Sequence, residues 1–176
     1  MTDHAAVLAD FALTDETFEG KTREVYRMGT GPAVVVIHEM PGRTPEVAEF
    51  GRRVASAGFT AVLPVLFGDP GRPLSVGYTA QSIVPGCVSK EFAALATGRT
   101  SPITTWLRAL AAKVHDECGG PGVGAVGMCF TGGFALAMMV DDRMLAPVLS
   151  QPSLPLALTK KHRRDLGISP ADLARV

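Results

Sequence analysis

The sequence predicts a single α/β domain in which helices cover both faces of a mostly parallel sheet. Three stretches carry this prediction. Residues 33–37, AVVVI, are a continuous β-branched run, typical of a buried parallel strand. A helical pattern and a second buried run, TAVLPVLF at 60–67, follow it and complete a strand–helix–strand unit. Residues 122–133, GVGAVGMCFTGG, have the pattern of a strand, a glycine-flanked turn and the start of a helix.

The elements of the first half follow from local patterns. Residues 22–28, TREVYRM, alternate polar and apolar side chains, which predicts an antiparallel strand near the edge of the sheet. The helix after AVVVI has Thr44 as its N-cap and Pro45 in its first turn, and Gly58 ends it. In the following strand, Pro64 is expected near the end, because proline interrupts a central strand.

The second half contains one long irregular stretch. Residues 68–100 are rich in glycine and proline, with a short helix indicated around 88–96, and we expect this stretch to form a cap or access loop. A helix follows between the cap signal at Ser101 and the stop at Gly119. The helix after the cysteine turn extends to about Val140, a further strand lies within APVLSQPSLP, and Ser169 begins a last helix.

Composition excludes several classes of function. The chain has 176 residues, and its 47% hydrophobic content suffices for one domain with a substantial core. Basic and acidic residues number 17 each, so no charge excess indicates nucleic acid or an anionic membrane as a partner. Signal-peptide and membrane-span patterns are absent from the sequence. We expect a soluble, cytoplasmic protein whose partner is a small molecule or another chain.

The cysteines indicate neither disulfides nor zinc. Cys87, Cys118 and Cys129 are too few and too irregularly spaced for a disulfide framework, and no CxxC pair is present. We therefore expect a reducing environment, with no metal and no cofactor.

Cys129 stands at the apex of the glycine-flanked turn. Gly127 precedes it, and Gly132 and Gly133 follow, which allows the strand and the helix to approach closely. Such a turn lifts a nucleophile above the carboxyl edge of the sheet, and the helix terminus favours a thiolate. The amide of Phe130 would then face a developing oxyanion. The alternative is a buried structural cysteine, since cysteine packs like a small hydrophobic residue.

Three motifs in order, VVVIHEMPG, AGFTAVLPVLFG and VGAVGMCFTGGFALAMM, resemble the dienelactone hydrolase family of α/β-hydrolases, over about residues 20 to 155. The resemblance implies a hydrolase of small esters or lactones with a cysteine nucleophile at Cys129. It also implies that Glu39 contacts the resting thiol, and that the amides of Phe130 and Met40 form the oxyanion hole. A carboxylate beside a thiol agrees with this reading, because it holds the proton until a substrate disturbs the pair.

The sequence departs from the family pattern in two places. Thr131 stands where the family usually has glycine, which reshapes the turn. The aspartate and histidine that complete the family's triad follow later strands, and the sequence ends before them. The resemblance thus implies one α/β-hydrolase domain over residues 1–176 that lacks the last strands of the fold and is impaired alone. A C-terminal fragment or a second chain would complete the sheet.

Four histidines are candidates for the missing base. His38 precedes Glu39 at the end of a predicted strand, and we consider it as a surrogate base. Side chains alternate along a strand, so His38 faces away if Glu39 faces Cys129, and packing under the following loop is its alternative role. The other three are expected to be solvated: His4, His115 and His162.

Two arginines lie in loops near the predicted mouth of the site. Arg43 and Arg99 could each bind a substrate carboxylate through a bidentate fork, and surface solvation is the alternative. Asp141 and Asp142 come one strand too early for the family's triad aspartate, so we expect exposed turn residues there.

Two readings compete with the hydrolase. The flavodoxin-like amidotransferase and DJ-1 group also combines a cysteine elbow with an early glutamate, but it normally begins with its central strand, whereas an α/β-hydrolase has two strands before AVVVI. In the third reading the elbow is a non-catalytic scaffold, and the chain binds a ligand or a partner.

Overall fold

Six strands form one sheet in the computed structural model, which describes residues 4–69, 71–73, 75–78, 98–152, 160 and 164–175. The spatial order is β1–β2–β4–β3–β5–β6. The strands are β1 (Ala12–Phe18), β2 (Lys21–Met28), β3 (Ala33–Ile37), β4 (Thr60–Pro64), β5 (Val123–Met128) and β6 (Met144–Ser150). Strands β4, β3, β5 and β6 run parallel to one another. The predicted mostly parallel α/β sheet is therefore confirmed.

Strand β2 is antiparallel and is the second strand from the β1 edge, which agrees with the predicted antiparallel strand near the edge of the sheet. It pairs in antiparallel fashion with β1 on one side and with β4 on the other. The sequence pattern of β1 does not predict a strand, because its apolar positions do not alternate and Glu16 is the only buried residue of the strand. Two strands thus precede β3, the arrangement that separates an α/β-hydrolase from a flavodoxin-like fold.

Helices pack on the sheet from both sides. They are α1 (Pro45–Ser56), α2 (Pro102–Cys118) and α3 (Gly132–Met138), while the last short helix, α4 (Pro170–Leu173), has no buried residue. Short 3-10 turns span His4–Leu8 and Cys129–Thr131, and the second leads directly into α3. The predicted helix after the cysteine therefore begins as a 3-10 turn and ends two residues early.

The caps largely follow the sequence signals. The side chains of Ser101 and Ser169 accept hydrogen bonds from the third amide beyond them, as the Ser-Pro pairs predict. Thr44 occupies the N-cap position of α1, but its side chain accepts no capping hydrogen bond. Gly119 ends α2 with a φ of 66°, in the left-handed region that favours glycine.

The core consists of two apolar clusters on opposite faces of the sheet. On one face α2 and α3 cover the central strands, and the predicted stripe of α2 is fully buried: Ile103, Leu107, Leu110 and Val114. On the other face α1 and the first 3-10 turn cover β2, β3 and β4, with Leu8, Val47 and Leu63 in the interior. Both faces being covered, the carboxyl ends of the parallel strands remain the natural place for a site.

The two edges of the sheet differ in chemistry. At the β1 edge the buried carboxylate of Glu16 contacts Arg27 Nη2 at 2.7 Å and Lys113 Nζ at 2.6 Å. At the β6 edge three apolar side chains face solvent, with exposed fractions of 57% for Leu145, 49% for Val148 and 38% for Leu149. The first edge ends in ion pairs, whereas the second ends in apolar surface.

Parts of the sequence analysis fall outside the described residues. Most of the predicted cap at 68–100, including the short helix near 88–96, lies there, as do Cys87 and His162. In the described part of the chain, no helix has both the length and the apolar character that a membrane crossing requires.

Candidate active site

Strand register brings Glu39 and Cys129 to the same level of the sheet edge. Ile37 and Gly127 are paired residues of the adjacent parallel strands β3 and β5. Glu39 and Cys129 each follow by two residues, and neighbouring strands lie about 4.8 Å apart. Both residues are half-buried, so each keeps some contact with solvent. Glu39 and Cys129 therefore follow the ends of two neighbouring strands at the same position in the register.

Cys129 has a backbone conformation that is unusual for a residue with a side chain. Its φ is 50°, in the left-handed region, at the junction between β5 and the 3-10 turn. Such outliers persist only where the surrounding structure imposes them, and they concentrate at functional sites. A strained strand-to-helix turn of this kind presents a nucleophile at the carboxyl edge of a sheet.

Two of the three neighbouring glycines are required by space. A Cβ at Gly127 would lie 2.6 Å from the carbonyl oxygen of Thr131, and one at Gly132 would lie 2.8 Å from Cβ of Pro152. Both distances are shorter than real contacts allow, so the close approach predicted for the turn is present. Gly133 differs, because a Cβ there would meet nothing within 4 Å.

The surroundings of Cys129 are apolar. Cys129, Met40 and Phe67 all pack against the core cluster beneath α2 and α3. The buried ring of Phe130 meets the ring of Phe134 edge to face, with centroids 5.6 Å apart. Met40 and Phe130, whose amides are the predicted oxyanion donors, thus border the same cluster as the thiol. Within the described residues, no group of three or more His, Cys, Asp or Glu side chains could hold a metal.

His38 is fully buried and uses both ring nitrogens on the backbone. Its Nε2 accepts a hydrogen bond from the amide of Leu66 at 3.2 Å, so the neutral ring carries its proton on Nδ1, which donates to the carbonyl oxygen of Glu39 at 3.1 Å. The ring also meets Phe67 edge to face at 4.5 Å. Burial, and secondarily the charge of Arg43, lower the pKa of His38 from 6.5 to about 3. This arrangement fits the packing role considered above and gives no support to a surrogate base.

Arg43 lies in the interior, so the expectation of a residue at the mouth or in solvent is wrong. Its side chain has no exposed surface, and its guanidinium lies 5.3 Å from the ring centroid of Tyr26. Among the described residues, none of its three nitrogens has a hydrogen-bond partner. Burial lowers the pKa of Arg43 to about 10, partly offset by Tyr26 and Glu24. Arg99 is exposed, and its predicted contact with a substrate carboxylate stays a prediction.

His115 lies away from the cysteine turn. It is near the end of α2, which precedes the amino end of β5, whereas Cys129 follows the carboxyl end of that strand. Its Nε2 is 3.3 Å from the carbonyl oxygen of Gly120. Asp141 is partly buried and pairs with Arg143 at 3.2 Å, while Asp142 is exposed as expected.

Sequence reasoning expected Thr131 to reshape the turn, but it did not identify the hydrogen bonds of its side chain. Its hydroxyl is fully buried and lies within hydrogen-bond distance of backbone atoms at the ends of both β3 and β5. The only signal in the sequence was its departure from the usual glycine.

The fold and the cysteine turn together define an α/β-hydrolase fold. Solved structures support this class. A candidate dienelactone hydrolase from Klebsiella pneumoniae aligns with a TM-score of 0.64 at 16% identity, over 94% of this chain and 77% of that one. The protein m3DLH aligns with a TM-score of 0.59 at 21% identity, over 94% and 64%. The haloalkane dehalogenase DatA from Agrobacterium tumefaciens gives 0.53 at 16% identity, over 84% and 44%.

The dienelactone hydrolase family model matches residues 7–163, and the chain belongs to this family. No curated protein has a sequence significantly similar to it. The chain spans 46% of the length of another structural neighbour, DcsB, to which it aligns with a TM-score of 0.58 at 17% identity. The family supports a hydrolase, as the sequence predicts.

Proposed function

We propose that Cys129 is the nucleophile of a hydrolase that acts on small esters or lactones. The observation that carries the proposal is the left-handed conformation of Cys129 at a strand-to-helix turn beside the end of β3. A non-glycine residue is held in this conformation only at a cost of about 1 to 3 kcal/mol, which the presentation of a nucleophile would justify. Membership of the dienelactone hydrolase family agrees with this role.

The proposed reaction begins with acyl transfer to sulfur. Glu39, at the same level of the sheet edge, takes the thiol proton, and the thiolate attacks the ester carbonyl carbon. The amides of Phe130 and Met40 donate hydrogen bonds to the resulting oxyanion. The carbon–oxygen bond to the leaving alkoxide then breaks, the alkoxide takes up the proton that Glu39 accepted from the thiol, and a thioester remains on Cys129.

Release of the thioester by water is the step that we propose to be slow in these 176 residues. It needs a base that activates water, and His38 is fully engaged with the backbone. His115 lies near the end of α2, before the amino end of β5, and so away from Cys129. Acylation should therefore outrun turnover.

p-Nitrophenyl acetate tests the proposal directly. We expect a burst of p-nitrophenolate that does not exceed one equivalent per chain, followed by slow turnover, and an acetyl adduct on the peptide that contains Cys129 in its mass spectrum. Cys129→Ala should abolish the burst. Cys118→Ala is the matched control, because Cys118 is also half-buried but ends α2 just before the amino end of β5, whereas Cys129 follows the carboxyl end of that strand.

An adduct that forms equally on Cys118, or a burst that survives in Cys129→Ala, would contradict the nucleophile. Fast steady turnover by the wild-type chain would contradict only the slow second step. The two parts of the proposal therefore fail separately.

We also propose that additional β-structure, from a C-terminal segment or a second chain, pairs with the outer edge of β6. The exposed apolar side chains of that strand and the greater length of the related structures support it. Sedimentation velocity should show association that rises with concentration and weakens in Val148→Lys. Monomers of both proteins at every concentration would count against pairing with a second copy of the chain.

A further inference from the structure

The buried hydroxyl of Thr131 joins the cysteine turn to the neighbouring strand. Oγ1 accepts a hydrogen bond from the amide of Met128 at 3.0 Å. It also lies 2.9 Å from the carbonyl oxygen of Ile37 and 2.9 Å from that of Met128. The hydroxyl has one proton, so it donates to one of these carbonyls at a time while it continues to accept from the amide.

The positions of these partners give the contact its meaning. Ile37 is the last residue of β3, and Met128 is the last residue of β5. The hydroxyl therefore connects the exits of two adjacent strands, directly before the chain reaches Glu39 on one side and Cys129 on the other. A glycine at position 131 could make none of these side-chain contacts.

The exit of β3 is held on its other side as well. His38 connects the amide of Leu66, beyond β4, to the carbonyl oxygen of Glu39. The backbone from Ile37 to Glu39 is thus fixed between β5 and the segment after β4 by two fully buried side chains. Buried hydrogen-bond networks of this kind restrict a site to one arrangement when every member is satisfied.

We infer that Thr131 is a positioning residue whose hydroxyl sets the placement of Cys129 relative to Glu39 and Met40. The inference rests on the proposed function, because it assumes that Glu39 acts on the thiol. In this role Thr131 touches no substrate. Its hydroxyl forms a hydrogen-bonded link between the strand ends that precede Glu39 and Cys129, which a glycine could not form.

The test is a double-mutant cycle between positions 131 and 39, read from the rate of iodoacetamide alkylation of Cys129 against pH. Peptide mass spectrometry separates Cys129 from the other cysteines. In the proposed function Glu39 takes the thiol proton, which glutamine cannot do, so in Glu39→Gln the alkylation rate at pH 7 should fall by about fivefold to tenfold. In Thr131→Val the same change at position 39 should alter the rate by less than about twofold.

Two further variants serve as controls. Thr131→Ser keeps the hydroxyl and should restore the full response to Glu39→Gln. Thr104→Val changes another fully buried threonine, whose hydroxyl bonds to Ser101 at 2.9 Å, and should leave the response as in wild type. If Thr131→Val does not fold, Thr131→Ala and Thr131→Ser make the same comparison.

The outcomes separate the inference from the proposed function. If Glu39→Gln changes nothing even with Thr131 in place, the role of Glu39 fails. If Glu39→Gln has the same effect with threonine, valine, alanine and serine at position 131, the role of Glu39 stands and the positioning role of Thr131 is overturned.

Discussion

His38 and Arg43 lie five residues apart in one loop, both fully buried, yet they meet opposite conditions. Both nitrogens of His38 are bonded to backbone groups, and its ring is neutral. Arg43 carries a charge, and none of its three nitrogens has a hydrogen-bond partner within the part of the chain that the structure describes. Burial of a polar group is tolerated when its hydrogen bonds are satisfied and is costly when they are not.

The difference shows which part of the loop between His38 and Arg43 stabilises the fold. The His38 half fixes the backbone of Glu39 against the segment after β4, and we expect it to contribute to stability. The Arg43 half rests on a ring contact with Tyr26 and on more distant charges, which compensate only part of the desolvation of a guanidinium. Three predictions test this contrast.

The largest effect is expected for His38→Leu. The substitution leaves the buried amide of Leu66 without its acceptor and the carbonyl of Glu39 without its donor, so the free energy of unfolding should fall by about 2 to 3 kcal/mol. Urea denaturation at pH 7.5 measures it. His115→Leu is the control, because that histidine is partly exposed, and its effect should stay within about 0.5 kcal/mol. Equal effects at the two positions would remove the contrast.

The second prediction concerns pH. The pKa of His38 is about 3 in the folded protein and 6.5 in the unfolded chain. Between these two pH values the unfolded chain therefore binds a proton that the folded protein does not bind. Stability contributed by the neutral ring is therefore present above about pH 6.5 and is lost as the pH falls towards 3. Between pH 7.5 and pH 5 we expect a loss of about 2 kcal/mol in wild type. His38→Leu should lose much less, and parallel pH profiles would contradict the assignment.

The third and smallest effect is expected for Arg43→Met. Methionine has a similar length and no charge to desolvate, so the free energy of unfolding should rise by about 1 to 2 kcal/mol. Arg53→Met on the outer face of α1 is the control; its side chain is 76% exposed, and it should change stability by less than about 0.5 kcal/mol. Destabilisation by Arg43→Met would mean that the guanidinium contributes more than its surroundings indicate.

Much of the fold could be predicted because its signals are local. The β-branched run of β3, the Ser-Pro caps at Ser101 and Ser169 and the glycine stop at Gly119 each lie within a few residues of the structure that they determine. Strand β1 was not predicted, because its buried side chain is the carboxylate of Glu16. This carboxylate pairs with Arg27 and with Lys113, which belongs to a helix far away in the sequence. Pattern reasoning counts such a residue as exposed.

The residue types of the site could be predicted from the sequence, but the contacts between residues far apart in the chain could not. The glycine-flanked cysteine is visible in twelve residues, but the link from Thr131 to Ile37 joins residues 94 positions apart and depends on the register of β3 and β5. The burial of Arg43 depends in the same way on its contact with the ring of Tyr26, which belongs to β2. Contacts of this kind follow from packing that a linear pattern does not contain.

The apolar outer edge of β6 also has a practical consequence for handling the protein. Backbone groups at a strand edge pair readily with any other extended chain, and Leu145, Val148 and Leu149 add adhesive surface to that edge. Charge gives little colloidal protection, because acidic and basic residues are equal in number. Purification should therefore favour dilute samples at a pH well above neutrality, and fusion to a highly charged carrier should raise the yield of dispersed protein.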